Sequence, residues 1–438
     1  MNHGPARALT IRYAALVGLL ELAIAVPMPV LVLHMTGRGL DLSLIGLAFT
    51  MRALLVVLLE LPTGGLADAI GRRPVALASQ AFTLASFVLL LFVTGPVTAL
   101  AYAVLQGVGS ALHSGALDAW YVDELKRVDK DVVLQSHLAG VELAQSAGLL
   151  LGTAIGGLLP SLFAGLNLPW PLSEFGIALF VGAVLRAVVW VVTVVVMREP
   201  VKPQGGEVAG AAAVPKILAD ALKLTRSIPQ IRWLLVAAGA SGLAMVSVET
   251  FWQPIAATMF GTGAANSYPY ALLATVSGVA VLAGSVVVMR WGQDFPGGPA
   301  ALAAFGTLLR GGSMLLFALS ATSLGLGAGL ALVYFALATS NVPHDTLLHQ
   351  AVPSNRRSSM LSVHSMVFYL GIALASGPLG WLATQAGPRN ALAVAALVTV
   401  AASVAYIGVA RAPAVQPAQA IARVARSPKE SGADVVAD

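Results

Sequence analysis

Gly64-Gly65-Leu66-Ala67-Asp68-Ala69-Ile70-Gly71-Arg72-Arg73-Pro74 gathers glycine, charge and proline between two long apolar runs, Leu42 to Leu66 and Val75 to Val93. A helix crosses the hydrocarbon core of a bilayer with about 20 residues, and each flanking run reaches that length. The stretch therefore reads as a tight polar turn joining two membrane spans. Outward from it the same alternation repeats, with apolar runs of roughly 17 to 25 residues. They fall near 11–35, 43–66, 75–94, 97–120, 138–163, 176–197, 231–258, 269–290, 299–320, 325–347, 359–383 and 391–410. The expected fold class is an all-α polytopic membrane protein with twelve transmembrane helices.

Composition agrees. Of 438 residues, 58% are hydrophobic and 10% charged, with a mean hydropathy of +0.84, whereas soluble domains carry about 25% charged residues. No soluble fold accommodates that deficit. The chain has no cysteine, which excludes disulfides, thiolate metal sites and cysteine nucleophiles. A net charge of +5 and a pI near 9.6 would suit nucleic acid, but the basic residues sit in short turns and form no aromatic-studded patch. Nucleic acid is not an expected partner; the lipid bilayer is.

Charge also sets topology. Among the 25 Lys and Arg residues, Arg52, Arg186 and Arg310 fall within spans, and Arg38 and Arg389 alone occupy one set of alternating loops. All the others lie in the opposite set, which contains both termini, so the positive-inside rule places the termini and the Gly64–Pro74 turn in the cytoplasm. The first span contains Glu21 and is too long for a cleaved signal peptide. The Ala, Val, Leu and Gly bias points to a bacterial source and a cytoplasmic membrane.

The longest polar interruption, 198–230, carries Pro200, Pro203, Gly205-Gly206 and Pro215. It reads as a cytoplasmic linker between two six-helix bundles, 1–197 and 231–411. The stretch 412–438 is polar, lacks periodicity and reads as a disordered cytoplasmic tail.

With Gly64, Asp68, Gly71, Arg72 and Arg73 at this spacing, the loop resembles the signature between the second and third helices of the major facilitator superfamily of secondary transporters. Ala69 stands where that family usually has a basic residue. The resemblance implies two six-helix pseudo-repeats, a central cavity lined by helices 1, 4, 7 and 10, alternating access, and function as a monomer. In the fifth span, Gly148, Gly152, Gly156 and Gly157 form a stripe of small residues. It resembles the helix-5 motif of superfamily exporters, with Thr153 in place of the usual proline; generic close packing is the competing explanation. Gln106-Gly107-Val108-Gly109 resembles the end of the helix-4 motif of drug/proton antiporters, but Ala103 replaces the arginine associated there with proton transfer.

Ionisable residues inside spans cost about 3 kcal/mol each on insertion scales, so each needs a partner or an aqueous cavity. Glu21, followed by Pro27 and Pro29, and Glu249, followed by Pro254, occupy equivalent helices of a six-plus-six repeat. Either carboxylate reads as a proton site or a partner for a cationic substrate group; Glu21 alternatively forms a fixed pair with Arg52, which also qualifies as a coupling charge. Arg186 and Arg310 read as anion-holding groups or as neutralisers of nearby carboxylates. Trp252 reads as an aromatic platform beside Glu249 or as an interface anchor. On the cytoplasmic face, Arg72 is expected to pair with Asp118. Asp68 is then expected to face the start of helix 11 near Ser358-Ser359, closing an inward gate. In the second half Asp345 is expected near the Arg290 turn. His113, His344 and His364 read as hydrogen-bonded helix residues.

No phosphate-binding lysine loop, Gly-x-Ser-x-Gly elbow or His-Glu-x-x-His occurs. No enzyme activity, cofactor or metal is expected. The expected function is export of a small amphipathic organic molecule, a drug or metabolite, by alternating access with proton antiport. The alternatives are uptake by symport or uniport, and a non-transporting membrane sensor.

Overall fold

The computed structural model describes residues 4–113, 116–129, 134–166, 168–197, 219, 222–352 and 357–412; the side chains of residues 64, 65, 68, 135, 136, 357 and 358 lie outside that description. Every regular element among the described residues is helical. The principal helices are α1 (Gly4–Ala25), α2 (Leu42–Ile70), α3 (Arg72–Leu91), α4 (Pro96–His113), α5 (Leu134–Phe163) and α6 (Gly176–Val196). They continue with α7 (Pro229–Phe260), α8 (Tyr268–Trp291), α9 (Gly298–Leu319), α10 (Ser323–Ala351), α11 (Arg357–Ala386) and α12 (Pro388–Ala402).

Eleven helical segments are long and apolar enough to cross a membrane. The helix outside that set is α4, an 18-residue segment whose apolar content is diluted by Gln106 and His113. It nevertheless packs along both α2 and α3 and runs on toward a second helix, Ala116–Val128. The exterior is apolar: Leu143 and Leu162 are each 72% exposed and Trp381 60%. Apolar surface on that scale belongs against lipid. This is a multi-pass membrane protein.

The expected turn from Gly64 to Pro74 contracts to one residue. α2 stays helical to Ile70, Gly71 takes φ +99°, and α3 begins at Arg72. A helical backbone satisfies its own polar groups, so the chain leaves that state only where it must reverse. Glycine supplies the positive φ without a Cβ clash, and Pro74 falls in the first turn of α3, where no intrahelical donor is missed. The other end of α2 is capped by Asp41, whose side chain accepts from Leu44 N–H at 2.7 Å.

Helices α1–α6 pack mainly on one another, as do α7–α12, and the two groups meet along α2 with α11 and α5 with α8. At the first seam a Cβ on Gly46 would lie 2.2 Å from the Ser376 carbonyl oxygen, so only glycine permits that approach. The expected linker is described only at 219 and from 222 onward, and the expected tail 412–438 only at 412.

Candidate functional site

Among the described residues each half buries one arginine, and each interacts electrostatically with a carboxylate. In the first half Arg186 of α6 is 5% exposed, stands over the Phe87 ring at 5.2 Å, and interacts electrostatically with Glu21 of α1. His113 and Asp118 belong to the same charged cluster. In the second half Arg310 of α9 is 3% exposed and donates to Ser241 Oγ of α7 at 3.0 Å. Glu249, two turns further along α7, interacts electrostatically with Arg310 and also with Arg52 of α2. Arg52 also interacts electrostatically with Tyr102 of α4.

Sequence spacing allowed a Glu21–Arg52 pair; among the described residues Glu21 instead interacts electrostatically with Arg186, and Arg52 with Glu249. Matching depth in the membrane does not fix helix rotation, and rotation decides which partner a side chain meets.

The α1 break that follows Glu21 has a defined role. Helix α1 ends at Ala25, a 3₁₀ turn covers Met28–Val30, and a short helix resumes at Leu31–Gly37. The prolines leave main-chain groups without intrahelical partners. Gln253 of α7, 2% exposed, supplies them: its Oε1 accepts from Val32 N–H at 2.9 Å and Leu33 N–H at 3.3 Å, and its Nε2 donates to Met28 O at 2.8 Å. One amide thus clasps the two halves. The same end is tied by Ser43 N–H to Thr384 Oγ1 at 3.0 Å and Ser161 N–H to Ser267 Oγ at 2.9 Å. Trp252 is not an interface anchor there. It is 6% exposed and packs beside Tyr270, ring centroids 6.1 Å apart.

At the opposite end the charged contacts rearrange relative to expectation. Arg72 pairs with Asp123, not with Asp118. Asp118 accepts instead from the Tyr13 hydroxyl at 2.7 Å, and Tyr13 stacks on Tyr121. Asp118 and Asp123 lie five residues apart on one helix, about 7.5 Å along its axis, so the turn at Gly71 meets the aspartate further along that helix and not the one in its first turn. Arg73 donates to Val194 O at 2.9 Å, a cation on the carbonyl end of α6. Nearby, Arg127 donates to both Glu124 oxygens, at 2.8 and 2.5 Å, and holds that carboxyl below the usual carboxylate range. Deeper in the seam, Ser365 of α11 donates to Glu60 of α2 at 3.0 Å. The expected contact of Asp68 with the start of α11 lies outside the described residues, as do the surroundings of Gly64.

The fifth-helix glycines are occupied in packing. A Cβ on Gly148 would meet Gly18 O at 2.1 Å, one on Gly152 Leu22 O at 2.6 Å, and one on Gly156 Val26 O at 1.6 Å. Two steps of four residues on α5 therefore match two steps of four along the first span. Gly157 faces the other half, where a Cβ would lie 2.4 Å from Ala271 Cα.

The family model described as Major Facilitator Superfamily matches residues 14–376. The chain belongs to that superfamily. No curated protein matches. Among solved structures, the nucleoside transporter NupG is similar at TM-score 0.73 and 14% identity, over 92% of this chain and 99% of that one. A bacterial homologue of the human lysosomal transporter Spinster, inward-facing and unoccupied, gives 0.71 and 15%, over 93% and 98%. A peptide transporter POT in complex with sulfate gives 0.69 and 14%, over 95% of each chain. At such identities the likeness establishes the superfamily fold alone.

Two arrangements in this superfamily member escaped the sequence. His344 of α10 and His364 of α11 bring their Nε2 atoms within 2.9 Å, although twenty residues separate them. Gln253 gave no signal alone, but its place four residues after Glu249, opposite a double-proline break, was available as one. Asp345 joins the histidines on a cavity wall rather than the Arg290 turn.

Proposed function

We propose that this chain is a proton-coupled secondary transporter that exports a small amphipathic organic molecule by alternating access, with Glu249 as the proton-carrying group. The observation that carries the reading is that Glu249 interacts electrostatically with both Arg310 of its own half and Arg52 of the other. When ionised, the carboxylate offsets two guanidinium groups in a poorly solvated interior. When protonated, it leaves two like charges facing each other across the seam, which favours separation of the halves. Loading and unloading one proton thereby biases the two access states.

The hydrogen-bonded end at Gln253 is read as the outer face and the Arg72 end as the cytoplasmic face of a bacterial cytoplasmic membrane, by the distribution of Lys and Arg. A monomer contains every group the cycle uses. Uptake by symport is the second reading: Gly148, Gly152 and Gly156 seat α5 on the first span, and because transport in either direction needs that packing, the stripe does not favour export over uptake.

The test is purified protein in proteoliposomes under an imposed pH gradient, with a panel of fluorescent cationic, neutral and anionic amphiphiles. Movement of a probe against the proton flow supports antiport. Movement with it establishes symport, and movement indifferent to the gradient contradicts proton coupling.

A further inference from the structure

Within the second half, a cavity of about 210 Å³ lies among α7, α9, α10, α11 and α12. His344, Asp345 and His364 form one wall. Their donor atoms all lie within 4.8 Å of one another, and Tyr406 stands behind them with its hydroxyl 2.9 Å from His344 Nδ1. We propose that this wall is a binding site for one divalent first-row transition-metal ion such as Zn²⁺ or Co²⁺, held by His344 Nε2, His364 Nε2 and an Asp345 carboxylate oxygen.

Two Nε2 atoms 2.9 Å apart can share only one hydrogen, so one nitrogen presents a bare lone pair to the other. Tyr406 selects which: when His344 donates its Nδ1–H to the Tyr406 oxygen, its Nε2 is the bare one. That outer partner is the kind that orients metal-ligating histidines and raises their basicity. Replacing the shared hydrogen by a metal leaves both nitrogens as ligands. Tetrahedral zinc at 2.0–2.1 Å from each needs them about 3.3 Å apart, an opening of a few tenths of an ångström between side chains on separate helices.

Ligand type narrows the ion. Two imidazoles and one carboxylate suit Zn²⁺, Co²⁺ or Ni²⁺ better than Mg²⁺ or Ca²⁺, which demand more oxygen ligands. Three protein ligands leave one position open toward the cavity. Arg310 lines the same cavity and repels a cation, but it also faces Glu249, and the Asp345 carboxylate lowers the charge of the bound ion. The open position is thus suited to an anionic fourth ligand, shared with Arg310, whose Nε has no hydrogen-bond partner.

The site is tested with Co²⁺, on full-length protein purified in detergent with a histidine-free tag. One equivalent is expected to bind, with the visible ligand-field absorption of a four-coordinate ion, and to be displaced by Zn²⁺. His364→Ala is expected to abolish that absorption. Tyr406→Phe is expected to weaken binding roughly 10- to 100-fold, and Asp345→Asn by a comparable factor. Asp345 is exposed on the cavity wall, so Asp345→Asn retains the fold and decides the question if His364→Ala does not yield monodisperse protein. Absence of stoichiometric binding, or binding that Asp345→Asn and His364→Ala leave unchanged, overturns the proposal.

Discussion

Glu21 and Glu249 occupy equivalent places, each on the first helix of its half and each followed by proline, yet their surroundings differ in one respect. Glu21 meets Arg186 of its own half and shares that cluster with Asp118 and His113. Glu249 meets Arg310 of its own half and Arg52 of the other. The first network is self-contained, so a proton on Glu21 changes charge inside one rigid group of helices. The second spans the seam, so a proton on Glu249 changes the interaction between two groups that must move. Equivalence by repeat does not give equivalent surroundings; the third partner is what differs.

The largest expected effect separates the two arginines. Removing one partner of a buried charge pair costs about 3–5 kcal/mol, and Arg310→Met and Arg186→Met should both lower the thermal unfolding temperature in detergent. Only Arg310→Met should also abolish the dependence of transport on pH. If Arg186→Met abolishes it equally, the two networks are not different in kind.

Arg52→Gln is the sharper cut, because Arg52 belongs to one half and Glu249 to the other. It should lower gradient-driven transport by roughly 10- to 100-fold, equivalent to about 1.4–2.8 kcal/mol, with little change in unfolding temperature. A loss of stability without a change in coupling would mean that Arg52 serves the fold alone.

Gln253→Leu tests the clasp that closes the α1 break. Unmaking buried hydrogen bonds to main-chain donors costs roughly 1–3 kcal/mol, which should shift the population toward the state open at that end. The chain contains no cysteine, so a Leu33→Cys variant can be labelled cleanly with an impermeant maleimide. Labelling should rise when Gln253→Leu is added, and unchanged labelling would remove the clasp from the gate.

Gly156→Ala should have the smallest effect on coupling. Its Cβ would collide with Val26 O, and such overpacking costs roughly 1–3 kcal/mol, so unfolding temperature should fall while the pH profile of transport keeps its midpoint. A shifted midpoint would show that the first half takes part in coupling after all.

Much of this fold was legible because a bilayer demands long apolar helices, and their limits follow from composition. The turn at Gly71–Arg73 and the resemblance it carries were legible for the same reason: polar residues inside so apolar a chain are few and stand out. Arg72 pairing with Asp123 was not legible, since Asp118 and Asp123 differ only in height and rotation on one helix. The His344–His364 contact was hidden by its location on two helices, where no periodicity within either reveals it. Arg52 facing Glu249 was hidden likewise, because a choice between Glu21 and Glu249 depends on rotation of α2. Gln253 was overlooked because a neutral amide looks unremarkable until the broken backbone of the first span is placed opposite it.

The most direct measurement compares Glu249→Gln with Glu21→Gln in proteoliposomes, following gradient-driven movement of one transported probe alongside proton flux. The account predicts that Glu249→Gln abolishes gradient-driven movement while still allowing gradient-independent exchange, and that Glu21→Gln retains coupled transport. Coupled transport that survives Glu249→Gln and is lost in Glu21→Gln would contradict it.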